Sequence, residues 1–313
     1  DRSVRGAHTV IFASSQLSGV ILEFIDIVDT NPGDTPTVFF SLATKKGIMN
    51  PDDVDRIRFV IVGPNEDYSF RVQEQIDDKA RWMNGSWAYT FETPLPADAT
   101  GSYTISVEGR EDRVVEMGDD SEEEHDTIEA TLMAFAVTDA AAVPRRQVVS
   151  DEKCESCHSN LAGHGHGRTN VDYCSTCHLP DVVAQLEPQE SWAMKFMTHK
   201  IHRGADLERG YVVVLSRGTY DFSNVHYVGD LRNCDACHVN GSQNLPLPVT
   251  AMATPTPKNW WPVMEPASAA CLSCHDGIEA AAHAYSNTSF FGEGCSSCHG
   301  EGMSYSVSKV HAR

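Results

Sequence analysis

Five copies of one pentapeptide pattern, CxxCH, constrain this chain more than any other feature. They are CESCH (Cys154, Cys157, His158), CSTCH (Cys174, Cys177, His178), CDACH (Cys234, Cys237, His238), CLSCH (Cys271, Cys274, His275) and CSSCH (Cys295, Cys298, His299). Together they use all 10 cysteines of the 313 residues. No thiol is left for a structural disulfide within the chain or for nucleophilic catalysis. Two thiols that add to the vinyl groups of a haem, followed at once by a histidine that reaches the iron, make CxxCH a c-type haem attachment sequence. A single copy is only moderately specific, because CxxC also serves zinc and thiol redox sites. Five copies that consume every cysteine are a strong signal, and they imply five c-type haems, each with its motif histidine as proximal iron ligand.

The motifs divide the chain. Residues 1–143 contain no cysteine and alternate like β-structure. In SYTISVEG, Tyr103, Ile105 and Val107 face one way and Ser102, Thr104 and Ser106 the other, the pattern of a half-buried strand. RIRFVIVG sets Ile57, Phe59 and Ile61 against Arg56 and Arg58. GVILEFIDIV, PTVFFSLA, SWAYTFE and IEATLMAFAV are further strand candidates, separated by turn sequences such as TNPGDTP and MNG. Six or seven short strands predict an antiparallel β-sandwich or barrel. The acidic run GDDSEEEHD at 118–126 has carboxylates enough for calcium, but its spacing matches no calcium loop and predicts a solvated hairpin loop.

A linker, AVPRRQVVSDEK, leads into residues 144–313, where Gly, Pro and His are frequent and aliphatic runs are rare, YVVVL at 211–215 excepted. Five haems there would take about 34 residues each, so the cofactors are expected to form much of the core, in a mostly irregular domain of short helices. The expected fold class is therefore an N-terminal all-β domain, 1–143, followed by a pentahaem cytochrome domain, 144–313.

Charge excludes some partners. The net charge is −20, and residues 1–143, with 27 acids against 11 bases, carry −16 of it. Such a surface argues against nucleic acid and anionic membrane. No apolar run approaches the roughly 20 residues that span a bilayer. The opening DRSVRGAHTV has no basic stretch followed by an apolar one, so no signal peptide is expected within it. Haem attachment by thioether nonetheless implies export, since c-type haem is added outside the bacterial cytoplasm.

The sixth iron ligand separates an electron wire from an enzyme with an open coordination site. Seven histidines of the haem segment lie outside the motifs: His164, His166, His199, His202, His226, His283 and His311. That is enough for five irons. In THKIH, His199 and His202 are three apart and share a helix face, yet can reach different irons. His164 and His166 compete within one turn. His8, His125, His166 and His226 read as ordinary side chains, and Met194, Met197, Met264 and Met303 as packing residues.

These residues carry a resemblance. The order VPRRQVV, CESCHSNLAGHGHGR, YCSTCHLP, FMTHKIHRG, YDFSNVHYVGDLRNCDACH, CLSCHDGIEAAAHA and GCSSCHGEGMSYSVSKVHA resembles the OmcA/MtrC family, the outer-membrane multihaem c-type cytochromes of metal-reducing bacteria. The resemblance implies distal ligands at His164, His199, His202, His283 and His311. It also implies an electron carrier rather than an enzyme, at the outer cell surface. Its partners would be other cytochromes or a porin–cytochrome complex, with extracellular metals, minerals or flavins as acceptors. Two departures stand out. Family members carry about ten haems in two such modules, whereas this chain has one. A glycine is also usual where His166 stands. A single module leaves two other expectations open: a subunit that self-associates into a conducting filament, and a multihaem reductase with one open haem, active toward metals or flavins.

Overall fold

A computed structural model describes residues 14–117, 120–159, 161–165, 167–256 and 260–312. His8 and His166 lie outside the described residues. The chain forms two compact units. One comprises residues 1–65, 70–145 and 158–176, the other 66–69, 146–157 and 177–313.

The first unit is a sandwich of two antiparallel sheets. One sheet holds β1 (Ile21–Val28), β2 (Thr37–Thr44), β3 (Gly47–Ile48), β6 (Arg81–Met83) and β7 (Ser86–Thr90). Its order is β1-β2-β7-β6, with β3 pairing β2. The other holds β4 (Arg56–Gly63), β5 (Phe70–Gln75), β8 (Ser102–Met117), β9 (Asp120–Thr127) and β10 (Leu132–Ala136). Its order is β10-β8-β4-β5, with β9 pairing β8. The alternation seen in sequence builds the core. Leu22, Val38, Phe40 and Leu42 of the first sheet meet Ile57, Phe59, Ile61, Ile105 and Val107 of the second. The ring of Phe59 meets those of Phe24 and Phe40 edge-on, at 5.3 and 5.0 Å.

Two features depart from the strand reading. Ser102, Thr104 and Ser106, expected to face water, are buried along with Glu108. The outer face of β8 is therefore covered, and each polar group there needs a partner. Asn65 Oδ1 accepts from Thr104 Oγ1 at 2.8 Å, Asp139 Oδ2 accepts from Ser102 Oγ at 2.6 Å, and the Val60 carbonyl accepts from Ser106 Oγ. The acidic run is also strand rather than loop. Residues 120–127 pair with β8 from Arg110 to Met117, in a long and largely exposed ribbon. His125 sits in that ribbon against Arg110 and Asp112.

A short hairpin, β11 (Ala162–Gly163) and β12 (Arg168–Thr169), completes the first unit together with helix α2 (Val171–Ser175). Asn170 caps α2, its side chain accepting from the backbone N–H of Asp172 and Tyr173.

The second unit is sparse in regular structure, as its composition predicts. Its longest helix is α3 (Met194–Arg203). Others are α1 (Asp151–Glu155), α4 (Pro266–Leu272), α5 (Ile278–Ser286), α6 (Ser296–His299) and α7 (Val307–Val310), with a hairpin β13 (Val212–Leu215) and β14 (Gly218–Asp221). It does possess a small core of its own. Ala193, Phe196, Leu207, Tyr211, Val213, Trp261, Met264, Ala269 and Leu272 are buried together, and Met197 packs against them. Phe196 comes from α3, Tyr211 and Val213 from YVVVL, and Ala269 and Leu272 from α4, and Tyr211 Oη donates to the Ser191 carbonyl at 2.7 Å. Among the described residues no helix is long and apolar enough to cross a membrane.

Candidate functional site

Each of the last three CxxCH motifs is one helical turn. The His238 N–H bonds to the Cys234 carbonyl at 2.9 Å, that of His275 to Cys271 at 2.9 Å, and that of His299 to Cys295 at 2.8 Å. Cys237, Cys274 and Cys298 bond back to the same three carbonyls. Residues i, i+3 and i+4 of a turn share a face. Two thiols and an imidazole are thereby presented on one side, which is what a porphyrin with two attachment points and a central metal requires. The first cysteines of the first two motifs, Cys154 and Cys174, sit on the short helices α1 and α2. All ten cysteines are free of disulfides.

Three motif histidines face a histidine from elsewhere in the second unit. His238 faces His199 of α3 with ring centroids 6.0 Å apart. His275 faces His311, next to α7, at 6.0 Å. His299 faces His283 of α5 at 6.1 Å. A metal held on opposite sides by two imidazole nitrogens, each at about 2 Å, keeps the ring centroids about 6 Å apart. The three separations match that spacing, so the residues fit an iron between each pair. Their planes differ, at 25°, 52° and 88° in the same order.

Hydrogen bonds also set which nitrogen is available. Backbone carbonyls accept from Nδ1 of His178 (Trp192, 2.7 Å), His202 (Thr198, 2.8 Å), His299 (Tyr305, 2.9 Å) and His311 (Val307, 3.0 Å). The Nδ1 of His238 lies 3.0 Å from Ser242 Oγ. Because that hydroxyl donates its one hydrogen to the Val148 carbonyl at 2.6 Å, it accepts from His238. All five imidazoles therefore carry their proton on Nδ1 and leave the Nε2 lone pair for a metal, the usual arrangement of ligating histidines. Aromatic rings hold two of them edge-on: Trp192 against His178 at 5.8 Å and Tyr227 against His202 at 5.7 Å. The Nδ1 of His199 is buried on α3 beside the Lys195 carbonyl one turn back. Desolvation, helped by His238 and His202, pushes the His199 imidazole down to about 4 and keeps it neutral, the form that binds a metal.

Of the remaining candidate ligands, His164 stands at the tip of the β11–β12 hairpin with φ of 55°. This left-handed conformation is uncommon for a non-glycine residue and marks constrained positions. His226 is exposed. Met264 and Met197 belong to the core, in keeping with a packing role.

The thiols cluster across motifs. Burial pushes Cys154 up to about 11, and Cys237 adds to the effect. Cys237 in turn feels Cys157. Burial likewise raises Cys271 and Cys274 to about 11, with Cys295 and Cys234 acting on the first and Cys234 on the second. Motifs one, three, four and five thus form a run of electrostatic neighbours. Among the described residues no three His, Cys, Asp or Glu side chains converge.

A β-sandwich joined to a segment of CxxCH turns and facing imidazole pairs defines the class of multihaem c-type cytochromes. Comparison with known proteins gives the family. Residues 146–312, more than half of the chain, match the model of the outer membrane cytochrome MtrC/MtrF-like family, domains II/IV, and the chain belongs to that family. It is similar to the multihaem cytochrome MtrC of Shewanella baltica (strain OS185), with 26% identity over 222 residues, 69% of this chain and 28% of the relative. The crystal structure of MtrC from Shewanella baltica OS185 shares the fold with a TM-score of 0.51 at 20% identity, covering 93% of this chain and 44% of that one. The chain therefore spans less than half the length of these relatives.

Proposed function

We propose that the chain carries five c-type haems and passes electrons among them at the cell exterior. The facing imidazole pairs at 6.0–6.1 Å carry this reading. Bound between such pairs, haem supplies an iron that exchanges one electron without opening a site for substrate. The chain's part is attachment, ligation and spacing. Ten cysteines anchor five groups, and His158, His178, His238, His275 and His299 ligate from one side. His199, His311 and His283 ligate opposite the last three motifs. His164 and His202 remain for the first two motifs, which completes five distal ligands for five irons.

The neighbouring thiols support a path in the order motif one, three, four, five. Electron tunnelling falls steeply with distance, and attachment points within electrostatic reach of one another keep macrocycle edges close. In this reading residues 144–313 conduct, and residues 1–143 form an acidic β-domain for docking. The electron source is another cytochrome or a porin–cytochrome complex at the outer surface, and the acceptor an extracellular metal, mineral or flavin. Intact mass together with the visible spectrum tests the reading. Five haem increments and wholly low-spin spectra are expected, and a high-spin component in the fully loaded wild-type protein would sink the all-histidine assignment.

A further inference from the structure

The outer face of β4 and β8 holds a cationic cluster around one buried carboxylate. Glu108 is 1% exposed and its oxygens are fully used. Oε1 accepts from Arg58 Nη1 at 3.2 Å, Gln73 Nε2 at 3.1 Å and Arg168 Nη2 at 3.5 Å. Oε2 accepts from Tyr173 Oη at 3.0 Å and from Arg168 Nε. A carboxylate offers about four lone-pair positions, so nothing is left for a further donor. Arg110, nearby, has an acid of its own, pairing with Asp112 at 3.1 Å, and lies 2.9 Å from His125 Nε2.

Arg56 is the surplus. Its side chain makes no hydrogen bond or ion pair among the described residues, and its Nε is buried without a partner. Glu108 is the acid that acts on it most strongly, against Arg110, Arg58 and Arg168, and burial is the largest influence lowering its pKa. Three guanidiniums (Arg56, Arg58 and Arg168) thus face one carboxylate, a local excess of two positive charges in a chain of net −20. A desolvated cation of this kind is costly unless an anion completes it. The cluster lies beneath the hairpin whose tip is His164. A Cβ on Gly167 would stand in ordinary contact with Arg56 Nη2, at 3.4 Å, and with the His164 carbonyl, at 3.6 Å, which places the guanidinium against the ligand loop.

We propose that Arg56, with Arg58 and Arg168, is the carboxylate-binding site for the two propionates of the haem ligated by His164. The proposal rests on the reading of His164 as an axial ligand. Two propionates carry two negative charges, equal to the local excess, and guanidinium is the side chain suited to bind carboxylates through paired N–H donors. Arg56 then acts on the iron through charge, favouring the reduced state of that one haem.

The test is a spectroelectrochemical titration of the fully loaded protein, with Arg56→Gln and Arg56→Lys variants. Arg56→Gln is expected to move one of five components to lower potential and leave four in place, with a change in the propionate bending bands of the resonance Raman spectrum. Arg56→Lys should restore most of the shift. Gly167→Val, whose γ carbons extend beyond a Cβ already in contact with Arg56 Nη2 and so displace it, should move the same component by less; it serves also if Arg56→Gln does not fold. Titrations of Arg56→Gln and Gly167→Val that superimpose on the wild type overturn the proposal. So does inorganic phosphate that raises the unfolding temperature of the wild type but not of Arg56→Gln while all potentials stay fixed, because the site then takes free anions. A wild-type protein without five haem mass increments would instead remove the underlying reading.

Discussion

The rings of His199 and His238 face one another at 6.0 Å, with planes 25° from parallel. One comes from helix α3 and the other from a CxxCH turn well downstream, and no local sequence rule joins them. Desolvation keeps His199 neutral, and α3 sets its orientation, with the Lys195 carbonyl one turn back. His199→Ala should therefore convert one of the five haems from low-spin to five-coordinate high-spin and leave the other four unchanged. Magnetic circular dichroism of the oxidised protein measures this, and an unchanged spectrum would show that His199 is not a ligand.

Ring orientation gives a second expectation. Near-parallel imidazoles lift the near-degeneracy of two iron d orbitals, and perpendicular ones restore it. The His283–His299 pair, at 88°, should produce the most anisotropic low-spin signal in electron paramagnetic resonance, and the His199–His238 pair, at 25°, an ordinary rhombic one. His283→Ala should abolish the anisotropic signal alone. Retention of that signal in the variant would refute the pairing.

Much of this architecture is legible in the residues, for physical reasons. Alternation in GVILEFIDIV, PTVFFSLA and RIRFVIVG marks strands because one face of each is apolar and buried. FRVQEQ and DSEEEHDT escape that rule: they form β5 and β9 from polar residues at the sheet edges, where pairing to β4 and β8 supplies what apolar burial does not. The burial of Ser102, Thr104, Ser106 and Glu108 is invisible to a period-two reading, since it depends on what lies on the outer face of β8. At the site, the CxxCH turns announce themselves, because attachment chemistry requires fixed local spacing. The facing of His275 by His311 and of His299 by His283 is set by tertiary packing, which sequence separation does not encode. The surplus of Arg56 was equally hidden. Its arginine neighbours come from β4, β8 and β12, and only the saturation of Glu108 reveals it.

Glu108 should also shape stability. Burial alone would raise its pKa, but the Arg168 and Tyr173 hydrogen bonds and the arginine charges outweigh it and hold the carboxyl below its ordinary 4.5. A carboxyl depressed in the folded state contributes stability above its unfolded pKa and loses it as pH falls through the folded value. Urea unfolding of the wild type should weaken progressively as pH drops below 4.5, and Glu108→Gln should flatten that slope. Glu108→Ala, which strands two partly exposed arginines, should cost about 3 kcal/mol at neutral pH. Identical slopes for wild type and Glu108→Gln would show that another group controls the acid limb.

The small core of the second unit makes its own contribution. Tyr211 is fully buried, and its hydroxyl donates to the Ser191 carbonyl at 2.7 Å. Tyr211→Phe keeps the ring packing but leaves that carbonyl without this donor. A loss of about 1 kcal/mol is expected from thermal or urea unfolding of the loaded protein. A neutral substitution would mean that water replaces the hydroxyl.

Ser242 offers the sharpest separation of tuning from scaffolding. Its hydroxyl accepts from His238 Nδ1 at 3.0 Å and donates to the Val148 carbonyl at 2.6 Å. Val148 also receives the Val239 N–H at 3.0 Å, so backbone pairing survives loss of the hydroxyl. An imidazole relieved of its Nδ1 acceptor donates less electron density to a metal, which favours the reduced iron. Ser242→Ala should therefore raise the potential of one component of the redox titration. Ser242→Asp, with a stronger acceptor at the same place, should lower that component. A purely structural role predicts shifts of the same sign in both variants, or none. Opposite shifts of a single component, the same one that His199→Ala converts to high-spin, identify it as the haem held between His238 and His199.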